Sequence, residues 1–252
     1  MHNSEVICVI PARLKSTRLA EKLLRKIGNK PLIQWVYENA KRAKTLSRVM
    51  IACDDILIKD CVTRFGGDAI LTKVDHQSGT ERIAEVAEKY ECDIVVNVQG
   101  DEPMMHPSTI DSVVRALQVD PSCLMSTAYI LKNDPAEFKN PNAVKLTKTK
   151  DGWALYFSRA PIPHDRDGKL GSYCKHLGIY GYRRDFLLKF PKLPSSQLEQ
   201  REKLEQLKAI ENGFKIKVVE TAYDSIGVDT EEDFLQVEKI LMQPNESRGI
   251  HA

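Results

Sequence analysis

The six cysteines, Cys8, Cys53, Cys61, Cys92, Cys123 and Cys174, are scattered, with no CxxC pair and no regular spacing. That excludes a disulfide framework or cysteine-built zinc site and leaves reduced thiols in a cytosolic protein. No thiol has an activating base evident beside it, so cysteine redox chemistry is set aside as well. Charge of one sign is also missing: 37 Lys and Arg face 35 Asp and Glu. Without a basic excess there is no general polyanion surface, and no nucleic-acid partner is expected. No apolar run reaches the ~18 residues of a membrane span. The start, MHNSEVICVIPAR, lacks the basic, apolar and small-residue order of a signal peptide. These absences lead to the expectation of a soluble, cytoplasmic protein with no membrane partner. GxxxxGK[ST] and GxGxxG are missing too, which counts against P-loop hydrolases and nicotinamide dehydrogenases.

What is present is a 252-residue chain, 42% hydrophobic, long enough for a full core. VICVI (6–10) is β-branched and continuously apolar, as a strand buried on both faces should be. PLIQWVYENAKRAK places Leu32, Val36, Ala40 and Ala43 at helical spacing, with Pro31 suited to the first turn. RVMIAC reads as a strand, IKDCVTRF as a helix stopped by Gly66 and Gly67, and CDIVVNV (92–98) as a strand. Ser78-Gly-Thr-Glu81 has capping-box form ahead of another helix. Alternation of this kind implies a mainly parallel sheet with helices on both faces. Between residues 124 and 200 the pattern turns β-rich, as in a small antiparallel elaboration. LEQREKLEQLKAIENG (198–213) reads as one helix ending at Gly213, FKIKVVE as a strand, and Thr230 with Asp233 caps a last helix. The expectation is one domain over 1–252, with the β-rich elaboration inside it.

In open α/β sheets, ligands bind beyond the carboxyl ends of the strands. Three features fall there. PARLKSTRLAEK follows the first strand and carries Arg13, Lys15, Arg18 and Lys22 among Ser16 and Thr17, donors suited to a polyphosphate. By charge alone, a solvated basic turn is the better reading. Asp101 and Glu102 follow IVVNVQG at the end of a core strand. Asp101 is placed to be a Mg²⁺ ligand, while either carboxylate could equally cap the helix near Pro107. Asp229, in GVDT, suits a second ligand, although alone it reads better as part of a helix start. Taken together, a basic loop and two distant aspartates converging on one triphosphate and its metal make a nucleotidyltransferase layout.

At this point the chain resembles the 3-deoxy-manno-octulosonate (Kdo) cytidylyltransferases, also called CMP-Kdo synthetases. VICVIPARLKSTRL, HQSGTERIAEV, VNVQGDEPMMHP, NPNAVK, ALYFSRAPIPHDRD, KHLGIYGYRRDFL, KLEQLKAIENG and GVDTEEDF occur in the family's order, from Val6 to about Leu241. The resemblance implies a nucleotide-diphospho-sugar-transferase-like α/β fold and transfer of CMP from CTP to Kdo, releasing pyrophosphate. It implies that Ala12, Arg13, Ser16 and Lys22 meet the nucleotide phosphates and sugar, and that Gln77, Ser78 and Gly79 read the cytosine. Asp101 and Asp229 would hold Mg²⁺. Gln99, Arg159, His176, Tyr180, Glu202 and Gln206 would hold the acidic sugar. A homodimer formed through the β-rich elaboration is implied as well. One departure stands out: Leu19-Ala20-Glu21-Lys22 replaces the family's Leu-Pro-Gly-Lys. It removes a restricted φ and a permissive one, and adds a negative charge near a triphosphate. Two alternatives share the pattern: the same chemistry on sialic acid or 8-amino-Kdo, and a catalytically silent nucleotide binder.

Overall fold

The computed structural model describes residues 4–15, 19–169 and 171–243. Strand β1 (Val6–Ala12) is buried along its whole length. Its alternating side chains feed two layers: Val6, Cys8, Ile10 and Ala12 enter one apolar cluster, and Ile7 and Val9 enter the other. A strand that must be apolar on both faces cannot show polar alternation, which is why VICVI reads as it does.

The chain then forms a small ribbon, β2 (Lys26–Ile27) with β3 (Lys30–Pro31), and helix α1 (Leu32–Ala40). There follow β4 (Arg48–Cys53), α2 (Ile56–Arg64), β5 (Ala69–Leu71), α3 (Gly79–Lys89), β6 (Ile94–Val98) and α4 (Pro107–Val119). β1 lies between β4 and β6, parallel to both, and β5 extends the sheet beyond β4.

The second half supplies β7 (Met125–Lys132), α5 (Pro135–Lys139), β8 (Lys145–Lys148), β9 (Ala154–Ser158) and β10 (Tyr173–Arg183). After these come α6 (Arg184–Lys189), α7 (Gln197–Glu202), α8 (Gln206–Glu211), β11 (Ile216–Glu220) and α9 (Glu231–Leu241). Along the sheet the order is β11-β7-β10-β6-β1-β4-β5, with β8 and β9 paired beside β10. β10 runs antiparallel to β6 and β7, while β11 is parallel to β7. α1, α2, α4 and α9 cover one face through residues such as Val36, Ile58, Val113 and Phe234. α3, α6 and α8 cover the other through Ile83, Leu187 and Leu207. The sheet is mainly parallel and helix-covered on both faces, as the alternating pattern implies.

One expected helix is two. The segment 198–213 breaks at Lys203, which takes a left-handed conformation with φ 54°. The break has a local reason: the Glu202 carbonyl accepts from Arg159 Nε at 2.7 Å. In an uninterrupted helix that carbonyl would be taken by the amide four residues on. Helical periodicity is blind to this tertiary competitor.

Candidate active site

β1 and β6 end side by side, and Gly100 lets them do so. A Cβ there would stand 2.8 Å from the Pro11 carbonyl oxygen, closer than real atoms approach. Beyond Gly100, Asp101 receives the returning chain through a bond from the Val228 amide to its carbonyl, 2.9 Å long. That bond brings Asp229 to the same rim. Lys22 sits in the 3-10 turn Lys22–Leu24 and reaches both carboxylates, with Nζ 2.6 Å from Asp101 Oδ2 and 3.1 Å from Asp229 Oδ1. Burial works against the Lys22 charge, but the two carboxylates more than offset it and raise its pKa above the ordinary lysine value.

Neither aspartate is used as a cap. His106 caps α4, its ring accepting from the Ser108 amide, and a Thr230–Asp233 capping box starts α9. Asp229 contributes only its backbone N–H to that box, donating to Asp233 Oδ2 at 3.0 Å. Both carboxylates remain aimed at a shared cation.

Ala12 is fully buried at the end of β1, and the exposed Arg13 follows it. Ser16 lies outside the described residues. Glu21 takes φ 46°, ψ 32°, a left-handed conformation that glycine adopts at no steric cost. A glutamate thus holds a conformation that suits glycine, and its side chain is exposed. Gln77, Ser78 and Gly79 lead into α3. Ser78 Oγ accepts from the Glu81 amide at 3.1 Å, and the Glu81 carboxylate accepts from the Gln77 amide at 2.8 Å. The Gly79 position packs on Pro11, a Cβ there standing 3.2 Å from Pro11 Cγ. Gly79 therefore lies against the end of β1.

A cleft of about 1060 Å³ opens beside the aspartates. Gln99, Arg159, His176, Tyr180 and Gln206 line it, together with Asp229. Glu202 does not reach its wall. Its carboxylate accepts from Ser158 Oγ at 2.6 Å and from the Arg159 amide at 2.9 Å, so it acts by fixing Arg159. Gln206 is 3% exposed and its Nε2 has no hydrogen-bond partner among the described residues, a buried donor that a bound acceptor would satisfy.

Burial lowers the His176 pKa to about 3, so the ring is neutral. Thr127 Oγ1 donates to the Ile179 carbonyl at 2.6 Å and stands 2.9 Å from His176 Nε2. With its one proton so committed, the hydroxyl accepts from Nε2–H, which leaves Nδ1 as an acceptor. Such a ring suits a sugar hydroxyl rather than a carboxylate.

Sequence reasoning passed over several residues here. Lys175 bridges Glu137 at 2.8 Å and Asp224 at 2.9 Å, and Lys132 reaches Asp224 at 2.8 Å. Ser225 Oγ donates to Glu102, tying the Asp101 turn to the segment before Asp229. Burial, chiefly, pushes the Glu102 carboxyl up to about 7. No motif marks these residues; only the path of residues 221–229 brings them together. Asp54 was within reach of the rule already applied, since it follows β4 at the same rim.

The chain matches the cytidylyltransferase family over residues 7–217. A 3-deoxy-manno-octulosonate cytidylyltransferase from Solibacter usitatus is 47% identical over 237 residues, 94% of each chain. The chain belongs to this family. The enzyme of the same name from Geobacter sulfurreducens is 46% identical, covering 94% of this chain and 98% of its own. A solved CMP:2-keto-3-deoxy-manno-octonic acid synthetase complexed with CTP superposes with TM-score 0.90 at 41% identity, covering 94% of this chain and 98% of that one. A 4-diphosphocytidyl-2C-methyl-D-erythritol synthase from Anaerococcus prevotii is 14% identical with TM-score 0.65, covering 96% and 100%. The latter likeness is one of fold. Among the described residues, no helix is long and apolar enough to cross a membrane.

Proposed function

We propose that this chain transfers CMP from CTP to the anomeric hydroxyl of Kdo, giving CMP-Kdo and pyrophosphate for lipopolysaccharide synthesis. One observation carries the reading: in a member of this family, Asp101 and Asp229 converge on one cation beside a polar cleft.

The cation this reaction needs fits the residues present. The Lys22 ammonium stands where two carboxylate oxygens meet a single positive charge. Among the described residues no group of three or more His, Cys, Asp or Glu gathers to hold a metal. Two carboxylates, with remaining positions left to phosphate oxygens and water, is a donor set that suits Mg²⁺ and suits zinc poorly. When bound, such an ion neutralises phosphate charge and lowers the pKa of a coordinated hydroxyl. Asp101 and Asp229 would hold it.

The remaining work belongs to the chain. Arg13, with Lys22 released from the carboxylates, meets the charge that develops on departing pyrophosphate. The Ala12 backbone lines the nucleotide's path, and Gln77, Ser78 and Gly79 face the base. In the cleft, Arg159 pairs with the sugar carboxylate, His176 Nδ1 and Tyr180 meet hydroxyls, and Gln99 and Gln206 complete the wall. The anomeric oxygen attacks the α-phosphorus in line, and the bond from that phosphorus to the β-bridging oxygen breaks.

The reading extends to assembly and place: a single nucleotidyltransferase domain acting in the cytoplasm, dimeric through the β-rich stretch 124–200. Leu131 and Leu155 are exposed there, 44% and 56%, and supply apolar surface for a second copy. The test is product analysis with CTP and Mg²⁺ offered Kdo, 8-amino-Kdo or sialic acid, and with UTP or ATP replacing CTP. CMP-Kdo as the dominant product supports the reading. Turnover confined to another sugar acid would replace Kdo, and CTP binding without turnover on any of them would make the chain a silent binder.

A further inference from the structure

Arg82 is the largest side chain buried to completion, on the face of α3 that looks toward β4. Its Nη1 donates to Thr72 Oγ1 at 2.5 Å and to the Lys73 carbonyl at 3.0 Å. Its Nη2 lies 3.5 Å from Asp54 Oδ2, and neither Nη2 nor Nε has a hydrogen-bond partner among the described residues. Burying a guanidinium with two nitrogens unbonded is costly, so the charge must be tied to something specific. Its counter-ion is Asp54, and Asp54 Oδ1 accepts from the Leu14 amide at 2.9 Å. Leu14 follows Arg13 in the first basic loop.

The same helix organises the segment leading to the base. Glu85 accepts from the Lys73 amide at 2.9 Å and meets His76 Nε2 at 2.7 Å, while Glu81 takes the Gln77 amide. Thr72 Oγ1 in turn donates to the Cys53 carbonyl at 3.0 Å, one residue before Asp54. A continuous chain of contacts therefore runs from Gln77 and Lys73, through Arg82 and Asp54, to Leu14.

We propose that Arg82 and Asp54 form a positioning pair for the nucleotide, fixing Leu14, and with it the adjacent Arg13, against the segment 72–79. This rests on the nucleotide reading above and adds to it the device that sets the distance between the triphosphate donors and the base. Neither side chain is placed to touch the sugar acid, since neither lines the cleft. Loss of the pair should therefore fall on CTP alone. The Arg13 charge acts against that of Arg82, and Asp54 opposes it.

The experiment measures CTP binding to the full chain by calorimetry with Mg²⁺, and the KM of each substrate, for wild type, Asp54→Ala, Asp54→Asn and Arg82→Lys. Asp54→Ala should weaken CTP binding and raise its KM about tenfold, with the KM for Kdo within about twofold of wild type. Asp54→Asn keeps an acceptor for the Leu14 N–H and should lose less. Arg82→Lys, which keeps the charge, should sit between wild type and Asp54→Ala. If Asp54→Ala does not fold, Thr72→Val, which removes one Arg82 acceptor, should show the same bias toward CTP. Folded variants that bind CTP as wild type does, or that raise both KM values alike, would overturn the pair's role. A wild-type chain that binds no CTP would overturn the nucleotide reading itself.

Discussion

The Lys22 ammonium stands within hydrogen-bond reach of both the Asp101 and the Asp229 carboxylate. It is 10% exposed, against 31% for Asp101 and 47% for Asp229. A buried ammonium in that place competes with any metal for the same oxygens. Lys22→Met should therefore raise the affinity of the substrate-free chain for Mn²⁺ by about tenfold, read by electron paramagnetic resonance. It should also weaken CTP binding, because the ammonium is then missing from the phosphates. Unchanged Mn²⁺ affinity would show that Lys22 does not contend for the site. One residue earlier, Glu21 holds a left-handed backbone that costs a side chain about 1–2 kcal/mol. Glu21→Gly should raise the urea midpoint by the equivalent of about 0.5–1 kcal/mol, part of the relief being lost to a more flexible unfolded chain. A lower midpoint would mean that the glutamate makes a stabilising contact its exposed position does not reveal.

Helix α3 shows what was legible in the sequence and what was not. Its start was readable, because a Ser-x-x-Glu box states local chemistry, and the cap at Ser78 is formed. The roles of Arg82 and Glu85 on its inner face were not, since a charged residue at a helical position reads the same whether it meets water or a buried loop. The break at Lys203 was invisible for a similar reason: nothing local announces that Arg159, 43 positions before Glu202, takes the carbonyl of Glu202. The pairing of Asp101 with Asp229 lies between these cases. Asp101 follows β6 closely, but Asp229 comes late in the loop after β11, a strand at the far edge of the sheet, and only the return of that loop, through the Val228 amide bond to the Asp101 carbonyl, brings it to the same rim. At Glu85, burial opposes the charge, yet bonds from Lys89, the Lys73 amide and His76 outweigh it and hold the pKa at about 2, against 4.5 in the unfolded chain. A depressed carboxyl pKa stabilises the fold above the unfolded value, and this is lost as pH falls from about 4.5 to 2. Glu85→Gln should thus cost up to about 3 kcal/mol near pH 7, and the gap from wild type should close across that acid window in urea unfolding. A gap independent of pH would assign the loss to packing.

At the scale of the molecule, one sheet carries both halves of the cleft. β1 and β6 end at the carboxylate rim, and β10, antiparallel between β6 and β7, carries His176 and Tyr180 into the cleft beside it. The exposed Leu131 and Leu155 bear on the proposed assembly: in sedimentation equilibrium wild type should run as a dimer and Leu155→Asp as a monomer, and a wild-type monomer would remove that surface from the account. The account turns on the aspartates, and the measurement that bears on them most directly is pyrophosphate release from CTP and Kdo as a function of Mg²⁺. Wild type should require CTP, Kdo and Mg²⁺ together, and Asp101→Asn and Asp229→Asn should each fall by about a hundredfold or more while keeping the wild-type circular dichroism. Release without metal, or near-normal release from either variant, would contradict it.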